Sequence, residues 1–164
     1  MFRKMRRFKQ QLTEEETIQI LKTGKTGILG VIGDEGYPYT VPINYVYENN
    51  KIYIHCAKTG HKIDAIKNNN KVSFCVIEKD DVVKEKLTTY YKSVIAFGKA
   101  RILETDSEIF RAAQSLGFKY SDDKEHVQKE IKQELKALAC VEIVIEHMTG
   151  KQSKDLAMQC LGVD

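Results

Sequence analysis

Lys51-Ile52-Tyr53-Ile54-His55-Cys56-Ala57-Lys58-Thr59-Gly60-His61-Lys62-Ile63-Asp64-Ala65-Ile66 passes from strand to helix through a glycine turn. Ile52, Ile54 and Cys56 share one face of the extended half, and Tyr53, His55 and Ala57 share the other. Thr59-Gly60 breaks the run, and the chain reads as helical beyond it. His61 and Lys62 then fall on the first helical turn, where backbone N–H groups lack partners and the dipole is positive. Two cations are unfavourable there in an isolated helix, so the pattern asks for an anion. A glycine turn lets phosphate oxygens approach bare N–H groups, and the segment reads as a phosphate cradle. The plainer alternative is a solvated helix face continued by Lys67.

Outward from this unit the chain is rich in short β runs. Upstream, Thr13-Glu14-Glu15-Glu16 is a capping box that opens a helix ending at Gly24. Strands are expected at Thr26–Ile32, Tyr39–Tyr47, Lys51–Ala57 and Lys71–Glu78. Gly33-Asp34-Glu35-Gly36 and Glu48-Asn49-Asn50 supply the turns between them. Pro42 within the second run suggests an edge position. A long strand follows at about 89–103, where Gly98 marks a bulge or a close backbone approach. Helices are expected at 106–116 and 123–138, and a last strand at Cys140–Glu146. From Met148 the pattern is weak, and Met148-Thr149-Gly150-Lys151 reads as a turn. About six strands with three or four helices predict a mainly β (α+β) fold, an antiparallel barrel with flanking α-helices. No repeat or linker divides the 164 residues, so one domain is expected.

Composition narrows the classes. Forty-two per cent hydrophobic and 30% charged residues describe a globular chain. A net charge of +3 is too small to argue for nucleic acid as a partner. The basic start (Arg3, Lys4, Arg6, Arg7, Lys9) has no apolar run behind it, so it is not a secretory signal. No window approaches a membrane span. Cys56, Cys75, Cys140 and Cys160 form no C-x-x-C pair, which suggests reduced thiols and a cytoplasmic location.

The motifs that could carry chemistry are few. Gly24-Lys25-Thr26 imitates the end of a P-loop, but Gln19 stands where the first glycine is needed. Gly24, Gly27, Gly30 and Gly33 never take G-x-G spacing, so no dinucleotide fingerprint exists. His55 and Cys56 point to opposite faces of a strand, and no metal site is expected. His55 itself is either a surface histidine or one placed near a ligand, just before the cradle. A nucleic-acid module built on Arg3 to Lys9 is a rival reading.

Together these pieces resemble the FMN-binding split-barrel superfamily of pyridoxamine 5′-phosphate oxidase. The likeness rests on Gly36–Tyr45, Ile52–Lys62 and Ser93–Ala100, in that order. Ile145-Glu146-His147-Met148-Thr149-Gly150-Lys151, with the basic Met5-Arg6-Arg7 opening, is similar to the branch of 5-nitroimidazole-resistance proteins. The resemblance covers about residues 1–152 and implies a six-stranded split barrel. It also implies a homodimer with FMN in clefts between subunits. His61 and Lys62 would grip the FMN phosphate. Thr40, Val41, Pro42 and Ile43 would line the flavin ring through their backbone, and Ile54, His55 and Cys56 would pass beside it. Ser93 would make a polar contact, and Met148 and Lys151 would cover the partner's ring. His55 would also stand at the substrate as the catalytic residue.

The implied activity is FMN-dependent reduction of a small molecule such as a nitroimidazole, with reduced nicotinamide or another electron donor. The alternatives are a flavin-binding sensor or carrier without catalysis, and a pyridoxamine-phosphate-oxidase-like enzyme of another substrate. The chain has no tryptophan, and Gln152-Ser153-Lys154-Asp155-Leu156 lacks the arginine that pyridoxamine phosphate oxidases use for substrate.

Overall fold

Alternating apolar residues on seven segments assemble one antiparallel sheet around a core of their inward faces. The computed structural model describes residues 1–160. Helix α1 (Glu14–Thr23) leads into strands β1 (Thr26–Ile32), β2 (Pro38–Asn44), β3 (Val46–Glu48) and β4 (Lys51–Ala57). Then follow α2 (His61–Asn68), β5 (Lys71–Val83), β6 (Thr88–Ile102), α3 (Asp106–Tyr120), α4 (Lys124–Glu134), β7 (Leu138–Gln152) and α5 (Lys154–Cys160). The sheet order is β2-β1-β5-β6-β7-β4-β3. Pro42 lies on an edge strand, as a residue without an N–H requires. The sheet curls but is not closed, since β2 and β4 touch without pairing.

Register assigns the two faces. Val41, Leu29, Phe74, Ala96 and Met148 are ladder partners in a row across five strands, and all join the main core. Ile20 and Leu21 of α1 and Ile63, Ala65 and Ile66 of α2 fill the same core. A second cluster forms where α3 and α4 cover Val46, Tyr53 and Cys140 on the opposite face of β3, β4 and β7. Tyr53 is therefore buried although it lies on the His55 face of β4.

The strand count is seven rather than six because the expected run Tyr39–Tyr47 divides at Tyr45. There the chain leaves one edge of the sheet for the other, and side chains of α3 replace the lost ladder. The Tyr45 N–H donates to the Tyr120 hydroxyl (3.1 Å), and the Tyr45 carbonyl accepts from Lys119 Nζ (3.0 Å). Strand β5 runs past Glu78 because Lys79–Val83 pairs with Lys92–Thr88 as a two-stranded ribbon outside the buried core. Met148–Lys151 is strand and not a turn: Ala96, Ile95, Val94 and Ser93 pair with it in register. Helix α3 continues to Tyr120 through Gly117, where Val127 of α4 presses too close for a Cβ. Helix α4 is shorter than expected and ends at Glu134. At Gly98 the register shifts and the Val144 carbonyl occupies the space of a Cβ, so both expectations for that glycine hold.

Candidate functional site

The gap in the barrel is bordered by unpaired backbone. Strand β2 pairs only with β1. Strand β3 covers β4 from Lys51 to Tyr53 alone, so Ile54–Ala57 has one edge without a ladder partner. Free peptide groups on these two edges are strong hydrogen-bonding groups held in fixed rows.

At the end of β4 the chain turns at Gly60 into α2. Gly60 has φ 124° and ψ 166°, a conformation that excludes other residues, and a Cβ built there meets no atom within 4 Å. The N–H groups of Ile63 (2.9 Å) and Asp64 (3.1 Å) donate to the Gly60 carbonyl. Those of His61 and Lys62 precede these bonds and have no backbone acceptor among the described residues. An open, positive helix start therefore follows directly from the β4 edge.

The two side chains are placed differently. The His61 ring stacks on Tyr39 at 4.1 Å between centroids, and its Nε2 accepts from the Asp34 N–H (3.4 Å). Asp34 Oδ2 lies 3.8 Å from the same nitrogen. His61 thus ties α2 to the turn between β1 and β2, and it reaches the helix start chiefly through its backbone. Lys62 is half-buried and forms no ion pair among the described residues. Burial, and then the Lys62 charge, lower the His55 pKa below its ordinary value. Burial pushes the Cys56 thiol up, with Lys62 opposing it, and burial pushes Cys140 up to about 12. These thiols stay protonated near neutral pH, which removes thiolate chemistry from the site. Among the described residues no group of three His, Cys, Asp or Glu side chains could hold a metal ion.

His55 opens onto a cavity of about 580 Å³ between β4 and the α3–α4 pair. Ala57, Leu116, Val127, Ile131 and Leu138 make its walls apolar, while His126, Glu130 and Glu134 supply polar groups. Nothing in the sequence marked this cavity. Leu116, Val127 and Ile131 have ordinary core spacing, and His126 lies far along the chain from His55.

The other expected residues divide by face. Val41, Ile43, Cys56 and Met148 pack against the main core and Ile54 is fully buried, so a ligand in the gap meets their backbone rather than most of their side chains. Thr40 and Pro42 lie on the outer face, in rows that continue through Gly30, Ser73 and Phe97, and through Ile28, Cys75 and Ile95. Ser93 pairs with Lys151 on the same outer face. That pair is far from His55: β7 carries Cys140, the partner of His55, eleven residues before Lys151. One chain thus brings Thr40–Ile43, Ile54–Cys56, His61 and Lys62 around the gap, and leaves Ser93 and Lys151 elsewhere.

A family model described as pyridoxamine 5′-phosphate oxidase matches residues 13–152. No curated protein matches the chain. Among solved structures, one similar chain is a candidate 5-nitroimidazole antibiotic resistance protein from Bacteroides thetaiotaomicron VPI-5482. It is 23% identical, with 87% of this chain and 86% of that one covered and a TM-score of 0.73. The flavocytochrome Anf3 from Azotobacter vinelandii is 16% identical, with 93% and 72% covered and a TM-score of 0.78. An FAD and heme binding protein from Mycobacterium smegmatis is 17% identical, with 93% and 80% covered and a TM-score of 0.73. At these identities the likeness is one of fold.

Proposed function

The chain belongs to the pyridoxamine 5′-phosphate oxidase family, and on that premise we propose that it is an FMN-dependent reductase of small molecules, working as a homodimer. The observation that carries this reading is the gap between the free edges of β2 and β4, ending at the Gly60–Lys62 helix start. A flavin ring offers donors and acceptors along its edge, which strand edges match, and the ribityl phosphate suits a positive helix terminus. The open space at Gly60 and Lys62, which has no ion pair among the described residues, fit that phosphate.

In this reading Lys62 and the His61 and Lys62 N–H groups hold the phosphate, and His61 keeps α2 against the β1–β2 turn. Thr40–Ile43 and Ile54–Cys56 hold the ring by their backbone. FMN held by these residues would supply the redox chemistry, electron transfer from a reduced nicotinamide to the substrate. His55 remains neutral near pH 7, because its pKa is lowered. One ring nitrogen then donates its N–H to a substrate oxygen and the other accepts, which orients the substrate. The cavity beside His55 offers that substrate a largely apolar wall. A nitroaromatic such as a 5-nitroimidazole has the flat shape and the oxygens this arrangement suits. Ser93 and Lys151 of one chain complete the cleft of its partner.

The test is the visible spectrum of the purified protein. Oxidised-flavin bands, with FMN released on denaturation, are the expected result. A colourless protein that takes up no FMN would overturn the reading, and release of FAD would correct the cofactor.

A further inference from the structure

The basic N-terminal segment has no role in the cleft described above, yet it is not loose chain. Phe8–Gln10 forms a single 3₁₀ turn, with the Gln10 N–H donating to the Arg7 carbonyl (3.0 Å). Gln11 bridges to Lys151, and the Leu12 N–H donates to the Gly150 carbonyl (3.0 Å), which pins the turn to β7. Helix α5 packs against the same turn. Between them lies a cavity of about 480 Å³ lined by Arg6, Arg7, Phe8, Lys9, Gln10 and Lys154, with Ala157 and Met158. Among the described residues four cations line it and no carboxylate does.

Two further features go beyond a basic patch. Phe8 is 69% exposed, an aromatic face that the fold leaves open. Gln10 is only 8% exposed, and its Oε1 has no hydrogen-bond partner among the described residues. A buried acceptor without a donor is costly, and a ligand N–H would satisfy it. Cations for phosphate, an open ring for stacking and an acceptor for an exocyclic amine together form the recognition set of a nucleotide. Inorganic phosphate alone would use only the first of these.

We propose that Arg6, Arg7, Phe8, Lys9, Gln10 and Lys154 bind the phosphate-bearing end of a nucleotide. Where the reductase reading holds, on which this part rests, the ligand is the reduced nicotinamide dinucleotide. The turn adjoins Lys151, so the site borders the part of the chain assigned to the partner's cleft.

Isothermal titration of the purified full-length protein with ADP, NADPH and inorganic phosphate tests this, alongside its flavin spectrum. ADP and NADPH should bind more tightly than phosphate. The double variant Arg6→Ala/Arg7→Ala, altered only at exposed positions, should weaken both by about tenfold or more without changing flavin content. Phe8→Ala should weaken ADP but not phosphate. A colourless protein that still binds ADP through these arginines keeps the site and removes the reductase. A yellow protein that ignores ADP and NADPH removes the site and keeps the reductase. Equal ADP affinity in the double variant overturns the proposal. So does salt-steep binding of a single-stranded oligonucleotide, lost in that variant, with no binding of ADP.

Discussion

His55 and Lys151 are held near opposite ends of one strand, His55 by its pairing with Cys140 on β7 and Lys151 eleven residues farther along β7, where it pairs with Ser93. At ~3.3 Å per residue the path along the strand is at most ~36 Å, and its two ends open onto different parts of the sheet. If both serve a flavin, they serve different flavins, and each cleft takes His55 from one chain and Lys151 from the other.

Cross-complementation follows from that geometry. His55→Ala and Lys151→Ala should each lower turnover as homodimers. Unfolded together and refolded as a mixture, they should recover roughly a quarter of parent activity, because half the dimers are mixed and each holds one intact cleft. The double variant His55→Ala/Lys151→Ala mixed with either single variant should recover nothing. Absence of recovery in the first mixture would place both residues' roles within one chain.

Lys62 and Gly60 are predicted to matter to the cofactor in different ways. Lys62→Ala removes a charge-assisted contact and should weaken FMN binding by about 1.5–3 kcal/mol, read by quenching of flavin fluorescence. Its melting temperature should scarcely move, since Lys62 has no protein ion pair among the described residues. Gly60→Ala should instead lower stability by about 1–3 kcal/mol, because an alanine is strained at φ 124°. Unchanged FMN affinity in Lys62→Ala would leave the helix start without a phosphate.

How much of this was readable follows from where the partners lie. Residues 51–66 could be read because the alternation, the glycine and the helix start are adjacent in sequence, and β4, Gly60 and α2 stand where expected. The end of β7 could not. Gly150 and Lys151 have the composition of a turn, while the strand is held by β6, and Gly150 is small because Leu12 and Thr17 press on it. The break at Tyr45 depends on Lys119 and Tyr120, which lie 74 and 75 residues away. The cavity at His55 was hidden for the same reason, since α3 and α4 build its far wall. The weak pattern read from Met148 onward runs into residues 161–164, which lie outside the described residues.

His55 should give the site a pH dependence of definite sign. Its folded pKa lies below the ordinary value of about 6.5, chiefly through burial and then through Lys62. A depressed histidine favours the folded state while neutral. That contribution is whole above the unfolded pKa and is lost as pH falls through the folded one. Urea midpoints between pH 8 and pH 5 should therefore fall more steeply for the parent than for His55→Gln. The acid limb of kcat/KM should disappear in the same variant. Lys62→Ala should move that limb upward, as the repelling charge is gone; a limb that moves down would contradict the assignment.

Glu142 is the buried charge on which the junction of β4, β6 and β7 depends. It is 4% exposed and accepts from Lys51 Nζ (2.9 Å), the Tyr53 hydroxyl (3.0 Å) and Arg101 (3.2 Å). Burial alone would raise its pKa, but these three donors outweigh burial and hold it below the usual carboxylate range. Stability from this shift is whole above the unfolded pKa of about 4.3 and is lost as pH falls through the lowered value. Glu142→Leu should cost about 3 kcal/mol in chemical denaturation. Lys51 and Arg101 can turn to water, being partly exposed, whereas the buried Tyr53 hydroxyl cannot. Adding Tyr53→Phe to Glu142→Leu should therefore return part of the loss, because a buried donor without an acceptor is removed. In the parent, Tyr53→Phe alone should be destabilising. If it destabilises the Glu142→Leu background by the same amount, the hydroxyl has a partner other than Glu142.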